Sequence, residues 1–319
     1  MHIVVVGSGA MGGLFGARLA AAGHEVLLYD TWQAHVAAIE ERGLFIEGPD
    51  GTPIRYQVRA TDKPPQTLRG AELILVQVKS YDTYGALAPL EPRINPESLI
   101  LSLQNGLGNL EQMQKALPNH RRFLIGTTAH SAGVIAPGRI RHAGPGPTVI
   151  GDPVPDRTPR LNLKPVRDVL QDAGFATQLS DRIWPAIWLK LTANVSINPL
   201  TALTGVRNGQ LLDDPELLAL ADAAVAETVA VMKAAGIDAP ERDYTEFARQ
   251  VMRDTGPAHS SMLQDIQNGK RTEIAAINGA VAGLGRELGV PTPVNRWLTA
   301  LVRNREKTMQ SPTPERDQS

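Results

Sequence analysis

The stretch HIVVVGSGAMGGLFGARLAAAGHEVLLYD (residues 2–30) decides the fold. It opens on a short β-branched run, HIVVVG (2–7), of the kind buried on both faces of a parallel sheet. MGGLFGARLAAAG (11–23) reads as a helix of small residues, and EVLLYD (25–30) as a second strand ending in an acid. Between strand and helix stands GSGAMG (7–12), a G-x-G-x-x-G. In that pattern Gly7 permits a tight turn, Gly9 lets the backbone approach a pyrophosphate, and Gly12 lets helix and strand pack closely. The helix start at Ala10 and Met11 offers unpaired N–H groups to phosphates. The six residues alone are a weak signal, and a merely glycine-rich turn is the alternative. A strand before, a helix after and an acid closing the second strand favour a dinucleotide site.

Asp30 carries a second inference. A carboxylate at the end of the second strand accepts hydrogen bonds from the adenosine ribose hydroxyls, and its charge repels a 2′-phosphate. The following residues, TWQAH (31–35), contain no arginine to hold that phosphate. NAD(H) is therefore expected over NADP(H). The alternative is that Asp30 caps the next helix, QAHVAAIEERG (33–43).

Outward from this stretch the rhythm continues. AELILVQVK (71–79) and ESLILSLQNG (97–106) are further buried strands. Residues 122–152 read as strands and turns, followed by a helix near 160–173. The βαβ alternation predicts a doubly wound α/β domain, a parallel sheet with helices on both faces. After about residue 180 the strand signals stop. DPELLALADAAVAETVAVMKAAG (214–236), DYTEFARQVMRDTG (243–256) and TEIAAINGAVAGLGRELG (272–289) are helical patterns closed by glycine. The expected organisation is a dinucleotide-binding domain over 1–180, an all-α domain over 181–309, and a disordered tail over 310–319.

Composition sets outer bounds. The 319 residues suffice for two domains, and 42% apolar with 20% charged residues describes an ordinary globular chain. A net charge of −1 gives no electrostatic reason to expect nucleic acid or an acidic membrane surface as partner. The absence of cysteine excludes disulfides, thiolate catalysis and cysteine-ligated zinc, and fits a reducing compartment, so a cytoplasmic location is expected. The apolar start lacks the basic leader of an export signal, and no run approaches the ~18 apolar residues of a membrane span. The seven histidines are scattered without metal-ligand spacing, so no metal site is expected. The Ala-rich helix at 219–236 suits either internal packing or a homodimer face.

One apolar segment is interrupted in a regular way. In IWLKLTANVSINPLTALTG (187–205), Lys190, Asn194 and Asn198 stand four residues apart and so share one stripe of a helix. Hydride transfer to a ketone leaves negative charge on oxygen, which some group must neutralise and protonate. No histidine sits in a comparable motif, so Lys190 is the candidate acid; burial among Trp184, Trp188, Leu189 and Leu191 would lower its pKa and a neighbouring carboxylate would oppose that shift, a balance the sequence does not decide. The competing readings are a snorkelling surface lysine for Lys190, a polar helix edge for Asn194, and a helix terminator for Asn198, since Pro199 follows it.

Five stretches in order carry a resemblance. GSGAMG (7–12), VQVKSYDT (76–83), SLQNGLGN (102–109), WLKLTANVSINPLTALTG (188–205) and SSMLQDIQNGKRTEIAAINGAV (260–281) resemble the ketopantoate reductase (2-dehydropantoate 2-reductase) family along nearly the whole chain. The first motif is shared by many dehydrogenases; the last two together are specific. The resemblance implies an N-terminal Rossmann domain, a C-terminal all-helical domain of the 6-phosphogluconate-dehydrogenase-like kind, and a site in the cleft between them. It implies reduction of the 2-oxo group of ketopantoate to D-pantoate, on the way to pantothenate and coenzyme A. By matching position, Lys190 is the general acid, with Glu273 the second catalytic residue. Asn194, Asn198 and Ser261 line the substrate pocket, with Glu273 beside them, and Lys79 and Asn105 lie on the cofactor side. Without the resemblance, Glu273 reads as a surface charge early in a helix, Ser261 as an N-cap, Lys79 as a strand-end charge and Asn105 as an Asn-Gly turn.

Two positions depart from the family pattern. The family usually uses NADPH, often with a basic residue just after the second strand, where this chain has Asp30 and Thr31. Some members place an asparagine shortly before the serine pair, where this chain reads GPAHSS (256–261). These departures leave open an NAD-dependent D-2-hydroxyacid dehydrogenase on the same scaffold, acting on a branched or aromatic 2-oxo acid. A 3-hydroxyacid dehydrogenase and a non-catalytic nucleotide-sensing module are further alternatives.

Overall fold

The protein, seen in a computed structural model, is described over residues 1–66, 68–154, 156 and 158–310. It divides into two compact units, Met1–Gln104 with Gly108–Ala186, and Asn105–Leu107 with Ile187 onward. The division falls inside a helix, and the turn after one strand belongs to the helical unit. Of the tail expected to be disordered, Gln310 closes the last helix and 311–319 lie outside the described residues.

Among the described residues twelve strands form two sheets in the first unit: β1 (His2–Val6), β2 (Glu25–Tyr29), β3 (Leu44–Glu47), β4 (Pro53–Tyr56), β5 (Arg59–Thr61), β6 (Leu73–Val76), β7 (Leu99–Ser102), β8 (Phe123–Thr128), β9 (Ser131–Ala136), β10 (Arg139–Gly144), β11 (Thr148–Gly151) and β12 (Thr177–Ser180). The large sheet runs β12-β11-β8-β7-β6-β1-β2-β5. All its pairings are parallel except β11 with β8. Residues of β6 and β7 are all buried, as is β1 after His2, which is why these strands read as unbroken apolar runs. The chain moves outward from β1 to β2 and then crosses back to β6 on the other side. The crevice at the C-terminal ends of β1 and β6 is therefore the topological switch point, where open α/β sheets bind ligands.

The helices of this unit are α1 (Ala10–Ala21), α2 (Gln33–Arg42), α3 (Thr83–Leu87), α4 (Asn109–Ala116) and α5 (Lys164–Asp172). The small sheet, β4-β3-β10-β9, joins β3 to β10 in parallel across a long loop. Neither β3 nor β4 was expected from sequence. This sheet explains the composition of α1, which packs against both sheets. Gly13 leaves room for Leu44 and Ile140 of the small sheet, and Gly16 for Leu28 of the large one.

The second unit is helical: α6 (Trp184–Thr204, beginning in the first unit), α7 (Pro215–Ala234), α8 (Tyr244–Asp254), α9 (Ser261–Gln267), α10 (Asn278–Leu288) and α11 (Pro293–Gln310). From Leu191 to Ala202 only Asn194 of α6 is not fully buried, so its hydroxyls have little water to bond. Thr192, Ser196 and Thr201 instead donate to carbonyls three or four residues back.

Pro199 does not end this helix, contrary to the terminator reading of Asn198. A proline inside a helix leaves the carbonyl four residues earlier without its N–H partner. That carbonyl is Val195, and the Asn278 side-chain amide donates to it at 2.9 Å. The same amide donates to Asn295 Oδ1 at 2.9 Å. Asn295 donates in turn to Ala224 O at 3.1 Å and to Glu227 at 2.8 Å. Glu227 also accepts the N–H groups of Val294 and Asn295 at the start of α11. A fully buried amide chain thus repairs the proline defect and ties α6, α10, α11 and α7 together.

A second correction concerns the helix expected over 272–289. Residues 273–277 form a turn, and α10 begins only at Asn278. Gly279 N–H reaches back five residues to Ile274 O, a widened turn, and the Ala276 carbonyl receives Leu107 N–H at 2.8 Å. A continuous helix would have used that carbonyl internally.

Among the described residues no helix is long and apolar enough to cross a membrane.

Candidate active site

In the first unit the glycine-rich turn joins β1 to α1 at the switch point. Gly7 has φ +96°, and a Cβ there would lie 2.6 Å from Val78 N, two residues past the end of β6. A Cβ on Gly12 would lie 1.8 Å from Gly7 O, so strand end and helix start touch through backbone alone. Gly9 is different: a Cβ there meets nothing within 4 Å. Gly7 and Gly12 are required by the fold, whereas Gly9 borders open space. No side chain caps α1 and no acid occupies its first turn, so the N–H groups of Ala10, Met11 and Gly12 carry the positive end of the helix. These features fit a diphosphate group.

Asp30 lies beside this turn. Its Oδ2 accepts Ser8 N–H at 2.6 Å and faces the Ser8 hydroxyl at 3.2 Å, while Oδ1 accepts Trp32 N–H at 2.9 Å. The cap position of α2 belongs to Trp32 and no side chain caps it, so Asp30 is not the N-cap. Its carboxylate is oriented by two backbone donors, with lone pairs remaining for a ribose. Lys79 follows β6 at the same end of the sheet, where it precedes a short 3₁₀ turn. Gln104, after β7, donates to Val78 O and to Thr83 Oγ1, tying the strand ends together.

The second unit gathers the other candidates. Lys190, Asn194 and Asn198 lie along α6 at the expected spacing; Lys190 and Asn194 are half-buried and Asn198 is buried. Desolvation pushes the Lys190 ammonium down from the ordinary 10.5 to about 8, against the opposing pull of the Glu273 carboxylate. A lysine snorkelling into water would not be desolvated in this way. Glu273 is itself buried, in the turn before α10, and not an exposed charge on a helix. Asn105 belongs to this unit too, two residues before the Leu107 N–H that bonds the Glu273–Ile277 turn.

Ser261 is exposed at the first position of α9. The cap role falls to Ser260, whose hydroxyl accepts Leu263 N–H at 3.0 Å and stands 2.7 Å from the Thr201 hydroxyl. Among the described residues no group of three or more metal-ligating side chains stands together.

Some contributors were missed in the sequence. His35 is buried beneath the glycine-rich turn, with Nε2 3.0 Å from Ser8 O. Its only signal was a histidine on the buried side of α2. Asn278, which completes α6, was legible only as one more residue of a helix.

Stretches of both units have counterparts among known proteins. The family model described as Ketopantoate reductase PanE/ApbA matches residues 3–155, and its C-terminal counterpart matches residues 182–306. A 2-dehydropantoate 2-reductase of Halobacterium salinarum is 37% identical over 95% of this chain and 98% of its own length. One from Pyrococcus abyssi is 35% identical over 96% and 98%. Among solved structures, a PanE/ApbA family ketopantoate reductase from Ralstonia eutropha has a TM-score of 0.88 at 33% identity, covering 98% of this chain and 100% of that one. D-mandelate dehydrogenase with NADH and anilino(oxo)acetate has a TM-score of 0.89 at 28% identity, with the same coverage. With both of its units matched and relatives aligned nearly end to end, the chain belongs to the ketopantoate reductase family.

Proposed function

We propose that this chain reduces 2-oxo acids as a 2-dehydropantoate 2-reductase does, giving D-pantoate from ketopantoate, with NADH as its preferred reductant. The observation that carries the reading is Lys190: a desolvated ammonium with a pKa of about 8, opposed by a buried carboxylate on a separate turn. A dihydronicotinamide, when bound, would supply hydride to the ketone carbon and be left as the oxidised nicotinamide. As that C–H bond forms, the C=O π electrons move to oxygen, and Lys190 donates a proton there to give the hydroxyl. Lys190 is left neutral and recovers its proton from water. A lysine with a pKa near 8 is protonated at neutral pH and gives up its proton more readily than an ordinary one. Glu273 keeps the ammonium charged despite its desolvation. Asn194 and Asn198, neutral and on the same stripe, suit the substrate carboxylate and hydroxyl.

Gly7–Gly12 seat the diphosphate, and Asp30 receives the ribose hydroxyls. Its negative charge, with no lysine or arginine among residues 31–35, supports NADH over NADPH.

A second reading, a D-2-hydroxyacid dehydrogenase for aromatic or branched 2-oxo acids, is supported by the likeness to D-mandelate dehydrogenase with NADH and by the same Asp30. A rate matrix separates the two: NADH or NADPH against ketopantoate, 2-oxoisovalerate and phenylglyoxylate. The first reading expects the highest kcat/KM with ketopantoate, the second with phenylglyoxylate or 2-oxoisovalerate. No turnover with any of them would sink both. NADPH as the better reductant would overturn the reading of Asp30.

A further inference from the structure

Next to Asp30 lies an aromatic pair that the reaction chemistry does not use. The Trp32 indole stacks on the His35 imidazole with centroids 4.8 Å apart and planes within 13°. His35 is fully buried, while Trp32 remains 38% exposed.

The imidazole is fixed in its plane. Gly138 N–H donates to Nδ1 at 3.1 Å, so Nδ1 is the acceptor. The hydrogen of the neutral ring is then on Nε2, which donates to Ser8 O at 3.0 Å. One bond holds the ring to the glycine-rich turn and the other to the turn between β9 and β10. Trp32 is tied at a second point, since its N–H is held by Asp30 Oδ1. The indole is thus a braced flat surface, with its backbone anchored to the carboxylate that would receive the ribose.

Ribose chemistry connects these points. The 2′-hydroxyl and the base sit on adjacent ribose carbons, so a protein that holds the hydroxyl at Asp30 has the base within a few ångströms of it. Every base has a π-face, and stacking on a pre-positioned aromatic ring supplies affinity at little entropic cost.

We propose that Trp32, held flat by His35, is the adenine-stacking residue of the cofactor site. This rests on the reading of Gly7–Gly12 and Asp30 as a dinucleotide site. It adds a residue that recognises the base, where Asp30 recognises the sugar. It also gives a physical reason for a tryptophan in a segment where a 2′-phosphate would need a cation.

The test is calorimetric binding, without turnover. AMP, 2′,5′-ADP, nicotinamide mononucleotide and NADH are titrated into the parent protein, Trp32→Ala and Trp32→Phe. Stacking of one base predicts that Trp32→Ala weakens AMP and NADH by roughly five- to hundredfold. Trp32→Phe should stay within about threefold of the parent, because a ring still faces the base. Nicotinamide mononucleotide, which lacks adenine, should bind all three proteins alike. Parent-like AMP affinity in Trp32→Ala overturns the proposal, as does an equal loss for nicotinamide mononucleotide. A parent that favours 2′,5′-ADP over AMP, while Trp32→Ala still loses both, overturns the Asp30 reading and leaves Trp32 in its role.

Discussion

Replacing Lys190 by methionine tests charge, stability and catalysis together. The ammonium titrates at about 8 in the folded protein against 10.5 for an ordinary lysine. At ~1.4 kcal/mol per pH unit, that displacement costs the folded state roughly 3 kcal/mol below pH 8, where the folded and the unfolded chain both hold the proton. The sign follows from proton counting. Between pH 8 and 10.5 the unfolded chain holds a proton on Lys190 that the folded chain has released. Stability of the parent therefore rises with pH across that window, and the cost is complete below it. From pH 7 to pH 10 the parent should regain roughly 2–3 kcal/mol relative to Lys190→Met. Using the difference between the two proteins cancels every other group that titrates there. Comparing that difference between pH values also removes any cost of the substitution that does not change with pH. Urea unfolding at pH 7, 8.5 and 10 measures the difference directly. In the same protein kcat should drop by about 10²–10⁴ with the loss of a positioned acid. The parent's kcat/KM should fall as pH rises through 8, because only the ammonium donates. Parallel stability curves for the two proteins between pH 7 and 10 would show that Lys190 is not desolvated and would refute the reasoning.

Other perturbations probe the remaining supports. Gly12→Ala should cost at least about 3 kcal/mol in thermal unfolding, since its Cβ meets backbone that no side-chain rotation can clear. Gly9→Ala should change stability by less than about 1 kcal/mol yet weaken NADH binding in calorimetry; parent-like binding would remove Gly9 from the diphosphate seat. Asn278→Leu should cost about 1–3 kcal/mol by stranding Val195 O, and adding Pro199→Ala should recover part of it, which a double-mutant cycle in urea detects as coupling. Asp30→Ala should narrow the ratio of kcat/KM for NADH over NADPH, read from initial rates with either cofactor.

The parts of this fold legible in the sequence are those whose cause is local. β1, β6 and β7 are buried on both faces, so their residues must be apolar whatever packs on them. Gly7 and Gly12 answer to contacts within the strand–turn–helix unit itself, so G-x-G-x-x-G was readable before any tertiary information. The polar stripe of α6 was readable because a helix repeats its faces every turn. The small sheet was not, since β3 and β4 have only four residues each and β3 finds its partner β10 far along the chain.

The Glu273–Ile277 turn shows the same limit at the site. Its sequence, EIAAI, has ordinary helical residues, and nothing local marks a break. The widened bond from Gly279 to Ile274 and the Leu107 N–H on Ala276 O are what hold it open, and the second comes from a loop far away in sequence. Pro199 likewise announces a missing donor, but the amide that replaces it is 83 residues from the carbonyl it serves. The charge state of Lys190 belongs to this second kind of information. Its apolar neighbours on α6 made a lowered pKa expectable, and Glu273 made the opposite shift expectable. Only their spatial balance decides between them, and it falls on the side of desolvation. A carboxylate brought to a desolvated lysine by a turn that breaks an otherwise helical sequence is a placement the backbone has to be bent to make. On the proposed reading that bend serves proton donation by Lys190, since placing charged groups together away from water seldom stabilises a fold more than the apolar packing they displace.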